Sequence, residues 1–167
     1  MRELSHYLPE HPGEVMALTP LYEALREHAR LRACRHANRC PLVMTGPVVV
    51  NESGNVLAVQ HGGKYMLFED EPKDQGETLP EAALRLLAEK LGVRDVWTEP
   101  GTEGPFVVDV TPIGQHQYGP RIRVGFRYLF AAHSRVIETP GRAAWVPPAW
   151  LGLTFRRALN AVQVVSQ

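Results

Sequence analysis

Hydrophobic residues recur along the chain with two different spacings. Short apolar and β-branched runs bounded by turn residues predict strands, whereas apolar residues three and four positions apart predict helices. Strands are predicted over residues 42–50, 56–60, 65–68, 106–113, 122–131 and 144–146. Helices are predicted over residues 79–91 and 148–164, and residues 1–30 are predicted to form a helical extension. The order helix, strands, helix, strands, helix favours an α/β/α sandwich around a mixed β-sheet.

Local signals mark where several of these elements begin and end. Pro20 is predicted to begin a helix that Thr19 caps, and Gly92 is predicted to end the helix over residues 79–91. The polar segment 114–121 is predicted to be a loop between two strands. The helix over residues 79–91 is expected to bury one apolar face, made of Ala83, Leu84, Leu87 and Leu91.

Composition and charge narrow the possible functions. The 167 residues are expected to form one domain over residues 41–167, preceded by a helical extension and linker over residues 1–40. Eighteen basic residues balance eighteen acidic ones, which gives no argument for long nucleic acid or an anionic membrane as partner. The sequence has no apolar run near the roughly 20 residues of a membrane span, and no signal-peptide core. A cytoplasmic protein is therefore expected.

The two cysteines, Cys34 and Cys40, lie close together in the segment CRHANRC, with His36 between them. Two free thiols in a reducing compartment are the favoured interpretation. Two cysteines and one histidine supply only three zinc ligands, and their spacing fits no common zinc pattern. The basic segment over residues 26–39 is interpreted as a solvated linker, with contact to an anionic ligand as the alternative.

The most informative stretch runs from Glu71 to Val93 and reads EPKDQGETLPEAALRLLAEKLGV. It resembles the Nudix box, G-x5-E-x7-R-E-U-x-E-E-x-G-U, in which U is a bulky aliphatic residue. The positions that match are Glu77, Arg85, Leu87, Glu89, Gly92 and Val93. Glu71, Leu86 and Lys90 stand where the pattern has glycine, glutamate and glutamate. The resemblance implies the Nudix α/β/α sandwich, with a degenerate box.

The departures fall on the residues nearest to the chemistry that the resemblance implies. Nudix hydrolases cleave a nucleoside diphosphate linked to another group, and Mg²⁺ neutralises the pyrophosphate and helps to activate a water. The family places three glutamates, with a charge of −3, on one helix face, whereas Leu86, Glu89 and Lys90 sum to zero. Weak Mg²⁺ or Mn²⁺ binding is therefore expected, and exchanging Leu86 and Lys90 for glutamate is expected to strengthen it.

The loop before this helix is rich in acidic residues, namely Glu69, Asp70, Glu71 and Asp74. A solvated acidic loop is the favoured interpretation. A relocated cation site is the alternative, and its candidate ligands are Glu71, Glu77 and Glu89. In the family, the residues equivalent to Glu77 and Arg85 pair as carboxylate and guanidinium and brace the loop against the helix.

A second departure lies towards the C-terminus. The segments HYLPEHPGEVMALTPLYEAL, VDVTPI and FRYLF resemble the N-terminal helix and a strand pair of a group of bacterial Nudix proteins. In that group the pattern H-x-H-x-D is expected where Arg121, Arg123 and Gly125 stand here. These three positions share one strand face. Two arginines facing a pocket suit an anionic ligand bound without metal, and two exposed arginines on an edge strand are an equally weighted alternative.

Three functional hypotheses follow from these residues. The first is a Nudix enzyme with an atypical metal site, and the second is a non-catalytic domain that senses a nucleotide-like or other small anionic ligand. The third is a repurposed, metal-independent enzyme of specialised metabolism, with Glu89, His116 and Lys90 as candidate catalytic residues. Candidate substrate contacts are Tyr65, Arg85, Tyr118, Arg121 and Arg123. The box departures favour the second and third hypotheses, and a homodimer is expected by analogy alone.

Overall fold

The computed structural model describes residues 2–19, 21–23, 41–73, 76–116, 119–136 and 143–151. Within them, the strands are β1 (Leu42–Val50), β2 (Val56–His61), β3 (Lys64–Met66), β4 (Val107–His116), β5 (Gly119–Ala131) and β6 (Ala143–Val146). The α-helices whose bounds are described are α1 (Arg2–Glu10) and α2 (Leu79–Leu91), and short 3-10 helices cover Pro12–Glu14, Ser134–Val136 and Pro148–Leu151. Residues 19 and 21–23 are also helical.

The six described strands form one mixed sheet in which β5 lies between β1 and β4. β5 runs parallel to β1 along the whole of β1, and antiparallel to β4. β1 meets β2 through the pair Val50 and Val56, and β2 also pairs with β3 and β6. The mixed sheet with its helices confirms the predicted fold class. No helix in the described ranges is long and apolar enough to cross a membrane.

Side chains on β5 alternate between two environments. One set belongs to the first core cluster, together with Ala83, Leu87 and Leu91 of α2, and consists of Val124, Phe126, Tyr128 and Phe130. Leu129 belongs instead to the second core cluster, with Val48, Val56 and Phe106. Because successive strand residues point to opposite faces, Arg123, Gly125 and Arg127 lie on the face of the second cluster, opposite to α2.

The N-terminal segment packs into the first core cluster through Leu4, Tyr7, Leu18 and Leu21. The ring of Tyr7 stacks on His11, its hydroxyl donates to Glu14 Oε2 at 2.6 Å, and burial raises its pKa. The prediction that Thr19 caps a helix is wrong, because the amides of Leu21 and Tyr22 donate to the carbonyl of Leu18, at 3.0 and 3.2 Å. The Thr19 hydroxyl donates to the carbonyl of Val15 at 3.3 Å. Pro20 and residues 24–40, which include Cys34, His36 and Cys40, lie outside the described residues.

The bounds of α2 are those predicted, and local chemistry explains both ends. The Thr78 hydroxyl accepts a hydrogen bond from the Glu81 amide, and the Glu81 carboxylate accepts one from the Thr78 amide. This reciprocal pair is a capping box. Gly92 has φ 71°, a left-handed conformation that glycine adopts without steric penalty. The Thr45 hydroxyl of β1 donates to the carbonyl of Leu79 at 2.9 Å, which fixes the start of α2 against the sheet.

The buried face of α2 differs from the predicted one. It is broader and consists of Ala82, Ala83, Leu86, Leu87 and Leu91. Leu84 is 40% exposed, so its prediction as a buried residue is wrong. Leu86 is fully buried, whereas Glu89 and Lys90, one turn further along the axis, are exposed. Positions 86, 89 and 90 share one helix face by their spacing, but only positions 89 and 90 are accessible on it.

Most of the predicted loop over residues 114–121 is strand. β4 continues to His116 and β5 begins at Gly119. A register shift between Pro112 and Gln115, with Gly114 at φ 72°, lets the strand pass a proline and a glycine. β3 is shorter than predicted and ends at Met66. Of the predicted C-terminal helix over residues 148–164, the structure describes residues 148–151, which form a 3-10 helix.

Candidate functional site

The loop before α2 is held against the helix by an ion pair. Arg85 Nε donates to Glu77 Oε1 at 2.7 Å and Nη2 donates to Oε2 at 3.2 Å, a two-point contact between guanidinium and carboxylate. Nη2 also donates to the carbonyl of Glu71 at 3.4 Å. Arg85 lowers the pKa of Glu77, and Glu77 raises the pKa of Arg85. The predicted brace between these two residues is thus present.

Glu89 is paired with two cations. Lys73 Nζ lies 2.6 Å from Glu89 Oε1, and Arg85 Nη1 lies 3.2 Å from Glu89 Oε2. The hydrogen bond from Lys73 is the main cause of a lowered pKa at Glu89. The backbone amide of Lys73 also donates to Glu77 Oε2 at 2.8 Å. Lys73 therefore contacts both box carboxylates. The box pattern leaves its position unspecified, so no sequence signal singled it out.

The box residues do not fit a magnesium or manganese site. Mg²⁺ takes octahedral oxygen ligands, usually carboxylates and waters. Leu86 is buried, and no carboxylate of the described residues lies within ion-pair distance of the exposed Lys90. The charges of Glu77 and Glu89 are balanced by those of Lys73 and Arg85. In the part of the chain that the structure describes, no group of three histidine, cysteine, aspartate or glutamate side chains is placed to hold a metal ion.

A second group of charges, the arginine cluster, lies on the other face of the sheet. It consists of Glu69, Asp109, Arg123 and Arg127. Arg127 Nη2 donates to Glu69 Oε2 at 2.5 Å, and Arg123 Nη2 donates to Glu69 Oε1. Arg123 Nη1 donates to Asp109 Oδ1 at 3.1 Å. Arg127 Nη1 donates to the carbonyl of Phe68 at 2.8 Å. A single carboxylate thus bridges two guanidinium groups.

Two glycines make room for this cluster. Gly125 pairs with Asp109 across β4 and β5, and a Cβ at Gly125 would lie 2.6 Å from Asp109 Oδ2. Gly46 pairs with Arg127 across β1 and β5, and a Cβ there would lie 2.5 Å from Arg127 Nη1 and 2.4 Å from the Phe68 carbonyl oxygen. Any larger residue at either position would displace a charged group or the backbone of the 67–70 segment.

Burial controls the electrostatics of the arginine cluster. It lowers the pKa of Arg127, which is only 9% exposed, and that of Arg123. It raises the pKa of Asp109, although the charge of Arg127 acts in the opposite direction. Buried charges are expensive to desolvate, and they are stabilised only when partners and hydrogen bonds surround them. The cluster meets this requirement through its paired geometry.

The structure contradicts the interpretation of Arg123 as an exposed arginine on an edge strand. Arg123 is not on an edge strand, because β5 lies between β1 and β4. It is only partly exposed, and both of its terminal nitrogens contact carboxylates. Arg127 was not predicted, although the two-residue period through Arg121, Arg123 and Gly125 leads directly to it. Tyr118 and the side chains of Arg121 and His116 lie outside the described part of the chain.

Two exposed aromatic residues pair with a neighbouring ring. Tyr65 lies 5.7 Å from Trp150, centroid to centroid, and Trp150 is 62% exposed. Trp97 lies 5.1 Å from His133. Gln60 and Val56 lie four residues apart on β2, so their side chains point to the same face, which is that of the second core cluster. Tyr65 of β3 pairs directly with Gln60. Since directly paired strand residues share a face, Tyr65 lies on the same face as the arginine cluster.

Comparison with solved structures relates this arrangement to a known fold. The dihydroneopterin triphosphate pyrophosphohydrolase of E. coli is similar with a TM-score of 0.52 and 16% identity, over 74% of this chain and 95% of that chain. The Ap4A hydrolase of C. elegans is similar with a TM-score of 0.50 and 12% identity, over 74% and 98%. The chain has the Nudix fold. No protein-family model and no curated protein sequence matches it.

The Nudix fold gives the two charged groups a common frame. The box loop and α2 occupy one face of the sheet, with the paired Glu77 and Glu89. The arginine cluster occupies the other face. Glu69 of that cluster and Lys73 of the box loop are only four residues apart. Between them, Asp70 exchanges backbone hydrogen bonds with Thr45 at 2.9 and 3.0 Å, which fixes the segment to β1.

Proposed function

We propose that this Nudix-fold protein binds a small anionic, nucleotide-like ligand and lacks ordinary Mg²⁺-dependent diphosphate hydrolysis. The observation that carries the proposal is the pairing of Glu77 and Glu89 with Arg85 and Lys73. A divalent cation gains little attraction from two carboxylates that are already neutralised. It would also be repelled by the ammonium group 2.6 Å from Glu89.

The buried side chain of Leu86 supports the same conclusion. The Nudix pattern has a glutamate here, whereas this chain has an apolar residue packed in the interior. The other replaced glutamate position is Lys90, whose side chain is exposed. Neither residue offers an oxygen ligand, and Lys90 adds positive charge. The same charge favours a polyanion bound directly, without an intervening cation.

A ligand-binding role is supported by groups on the sheet face opposite to α2. Tyr65 and Trp150 offer aromatic surface, and Arg123 and Arg127 offer guanidinium groups whose charge Glu69 and Asp109 balance. Aromatic surface suits a base or another planar ring, whereas guanidinium groups suit phosphate oxygens. The combination is that required for a nucleotide-like ligand. We also propose that the protein is cytoplasmic. Its balanced charge supports a small ligand rather than long nucleic acid or an anionic membrane surface as partner.

A metal-independent enzyme is less well supported than a binding protein. Of the candidate catalytic residues, Glu89 has a pKa below the ordinary glutamate range, mainly because of its hydrogen bond with Lys73. A general base works best when its pKa lies near the working pH. Glu89 is therefore a weak base at neutral pH, and its hydrogen bonds to Lys73 and Arg85 occupy both of its oxygens.

The proposal is tested by incubating the protein with a panel of nucleoside diphosphate compounds in Mg²⁺ or Mn²⁺ and measuring phosphate release after phosphatase treatment. We expect no release above background. We expect the same compounds to raise the melting temperature in EDTA, which shows binding without metal. Metal-dependent release that persists in Glu103→Gln, an exposed-site control, and is lost in Glu89→Gln would contradict the proposal.

A further inference from the structure

The two arginines of the arginine cluster converge although their backbones are far apart. Arg123 and Arg127 are four residues apart on β5, so their Cα atoms are separated by about 13 Å. Both side chains nevertheless reach the Glu69 carboxylate, one on each oxygen. Gly125 lies between them, and the Asp109 carboxylate fills the space that a side chain at this position would take. The two guanidinium groups therefore converge on one carboxylate, which accepts a hydrogen bond on each of its oxygens.

The cations and the anion of this arrangement are held differently. Arg123 and Arg127 stand on the central strand, and Arg127 is fixed further by the Phe68 carbonyl oxygen. Glu69 belongs to a short segment between β3 and the box loop, which is regular only at the Thr45–Asp70 bridge. When Glu69 rotates away, Arg123 keeps its hydrogen bond to Asp109 and Arg127 keeps its hydrogen bond to the Phe68 carbonyl. Among the described residues, the Glu69 carboxylate bonds only the two arginines. The anion is thus the exchangeable partner.

Charge and exposure indicate what replaces the Glu69 carboxylate. Without it, the two arginines face only Asp109, which leaves an excess of one positive charge. Forked guanidinium groups bind two oxygens of a phosphoryl group as they bind two oxygens of a carboxylate. The Arg123 side chain is 20% exposed and that of Arg127 is 11% exposed. A ligand therefore meets Arg123 first, from the side of Asp109, whose side chain is 38% exposed.

We propose that Arg123 and Arg127 form a phosphoryl-binding site that the Glu69 carboxylate occupies as an internal competitor. A phosphoryl group of the ligand binds by displacing Glu69 from both guanidinium groups. This inference rests on the proposed function in that the ligand is anionic. It adds which residues hold the phosphoryl group and which side chain opposes it. Because Glu69 lies next to Asp70 and the box loop, binding on one face is coupled to the loop on the other.

The test is calorimetric titration with inorganic pyrophosphate in EDTA. Glu69→Gln keeps the shape of the side chain and removes its charge, so Arg123 and Arg127 are left without their internal competitor. We expect this variant to bind pyrophosphate at least about tenfold more tightly than the wild type, since apparent affinity rises with the fraction of sites that are free. Glu52→Gln removes the same charge at the other end of β1, where Glu52 contacts Ser134, and is expected to bind like the wild type.

Two further variants keep the test decisive. Glu69→Asp serves if Glu69→Gln does not fold, because it retains a negative charge for the buried arginines. Its side chain is too short to bridge both guanidinium groups, so we expect a smaller gain in pyrophosphate affinity. Adding Arg123→Gln to either variant is expected to abolish the gain. No gain in the folded Glu69 variants, or a gain that survives Arg123→Gln, would overturn the site. EDTA makes this result independent of metal binding at the box, so either proposal can fail without the other.

Discussion

Replacing Arg127 with alanine is expected to lower the free energy of unfolding by about 3 kcal/mol, as is typical when one partner of a buried ion pair is removed. Arg127 is 9% exposed and bonds both Glu69 and the Phe68 carbonyl. Without the Arg127 side chain, Glu69 keeps only Arg123 as a cationic partner, and the Phe68 carbonyl oxygen loses its hydrogen bond. A void is also left beside Gly46. Urea denaturation followed by circular dichroism measures the change.

An arginine without these contacts provides the control for Arg127→Ala. Arg94 is exposed, and Arg94→Ala is expected to change the unfolding free energy by less than about 0.5 kcal/mol. The double exchange Arg127→Met and Glu69→Met is expected to recover part of the loss, because it removes both the cation and the carboxylate that it neutralises. Equal stability of Arg127→Ala and Arg94→Ala would show that the cluster does not hold the loop segment to the sheet.

Introducing glutamate at position 86, where the Nudix pattern has it, is expected to destabilise the protein by about 3 kcal/mol at neutral pH. Leu86 is fully buried, so the new carboxylate would be desolvated. Burial raises the pKa of such a group, and the folded state then binds a proton more readily than the unfolded state. The loss is therefore greatest well above the raised pKa, and it shrinks as the pH falls towards the ordinary glutamate value of about 4.3.

Denaturation at neutral and at acidic pH checks the Leu86→Glu prediction. Leu86→Met conserves volume and is expected to cost less than about 1.5 kcal/mol at either pH. If Leu86→Glu is as stable as Leu86→Met at neutral pH, the burial of position 86 is contradicted. The exchange of Leu86 and Lys90 for glutamate therefore does more than add ligands. Any gain in metal affinity from it has to exceed the energy of bringing residue 86 out of the core.

The elements that the sequence predicted best are those whose ends depend on neighbouring residues. The bounds of α2 follow from Thr78, Glu81 and Gly92, all within the helix or next to it. β1 follows from a single apolar run. The hairpin of β4 and β5 was misjudged because polar residues on a long two-stranded ribbon resemble a loop. A bulge at Gly114 does not show in the pattern of apolar positions.

The site was less predictable because its contacts join distant parts of the chain. Lys73 and Glu89 are 16 residues apart, and Glu69 and Arg127 are 58 residues apart. Charge counting along the helix captured the loss of ligands at positions 86 and 90. It did not show that Leu86 is covered, since the covering residues come from other elements. The Glu77–Arg85 pair was predictable because the family motif specifies both residues.

Lys73 and Glu69 have parallel roles. Lys73 supplies an internal cation to Glu89, a position where the resemblance to the Nudix box implies a metal ligand, and Glu69 supplies an internal anion to two arginines. Lys73 and Glu89 are both about half exposed, so their pair contributes little to stability. Its importance is electrostatic, because it places an ammonium group against the glutamate that the Nudix pattern reserves for the cation.

The neutralised box is tested most directly by calorimetric titration of the wild type with Mn²⁺, alongside Glu89→Gln. We expect no saturable binding up to several millimolar for either protein, because Lys73 and Arg85 already pair with Glu89. Saturable binding in the low millimolar range or tighter, abolished by Glu89→Gln, would show that these internal cations have not replaced a metal ion.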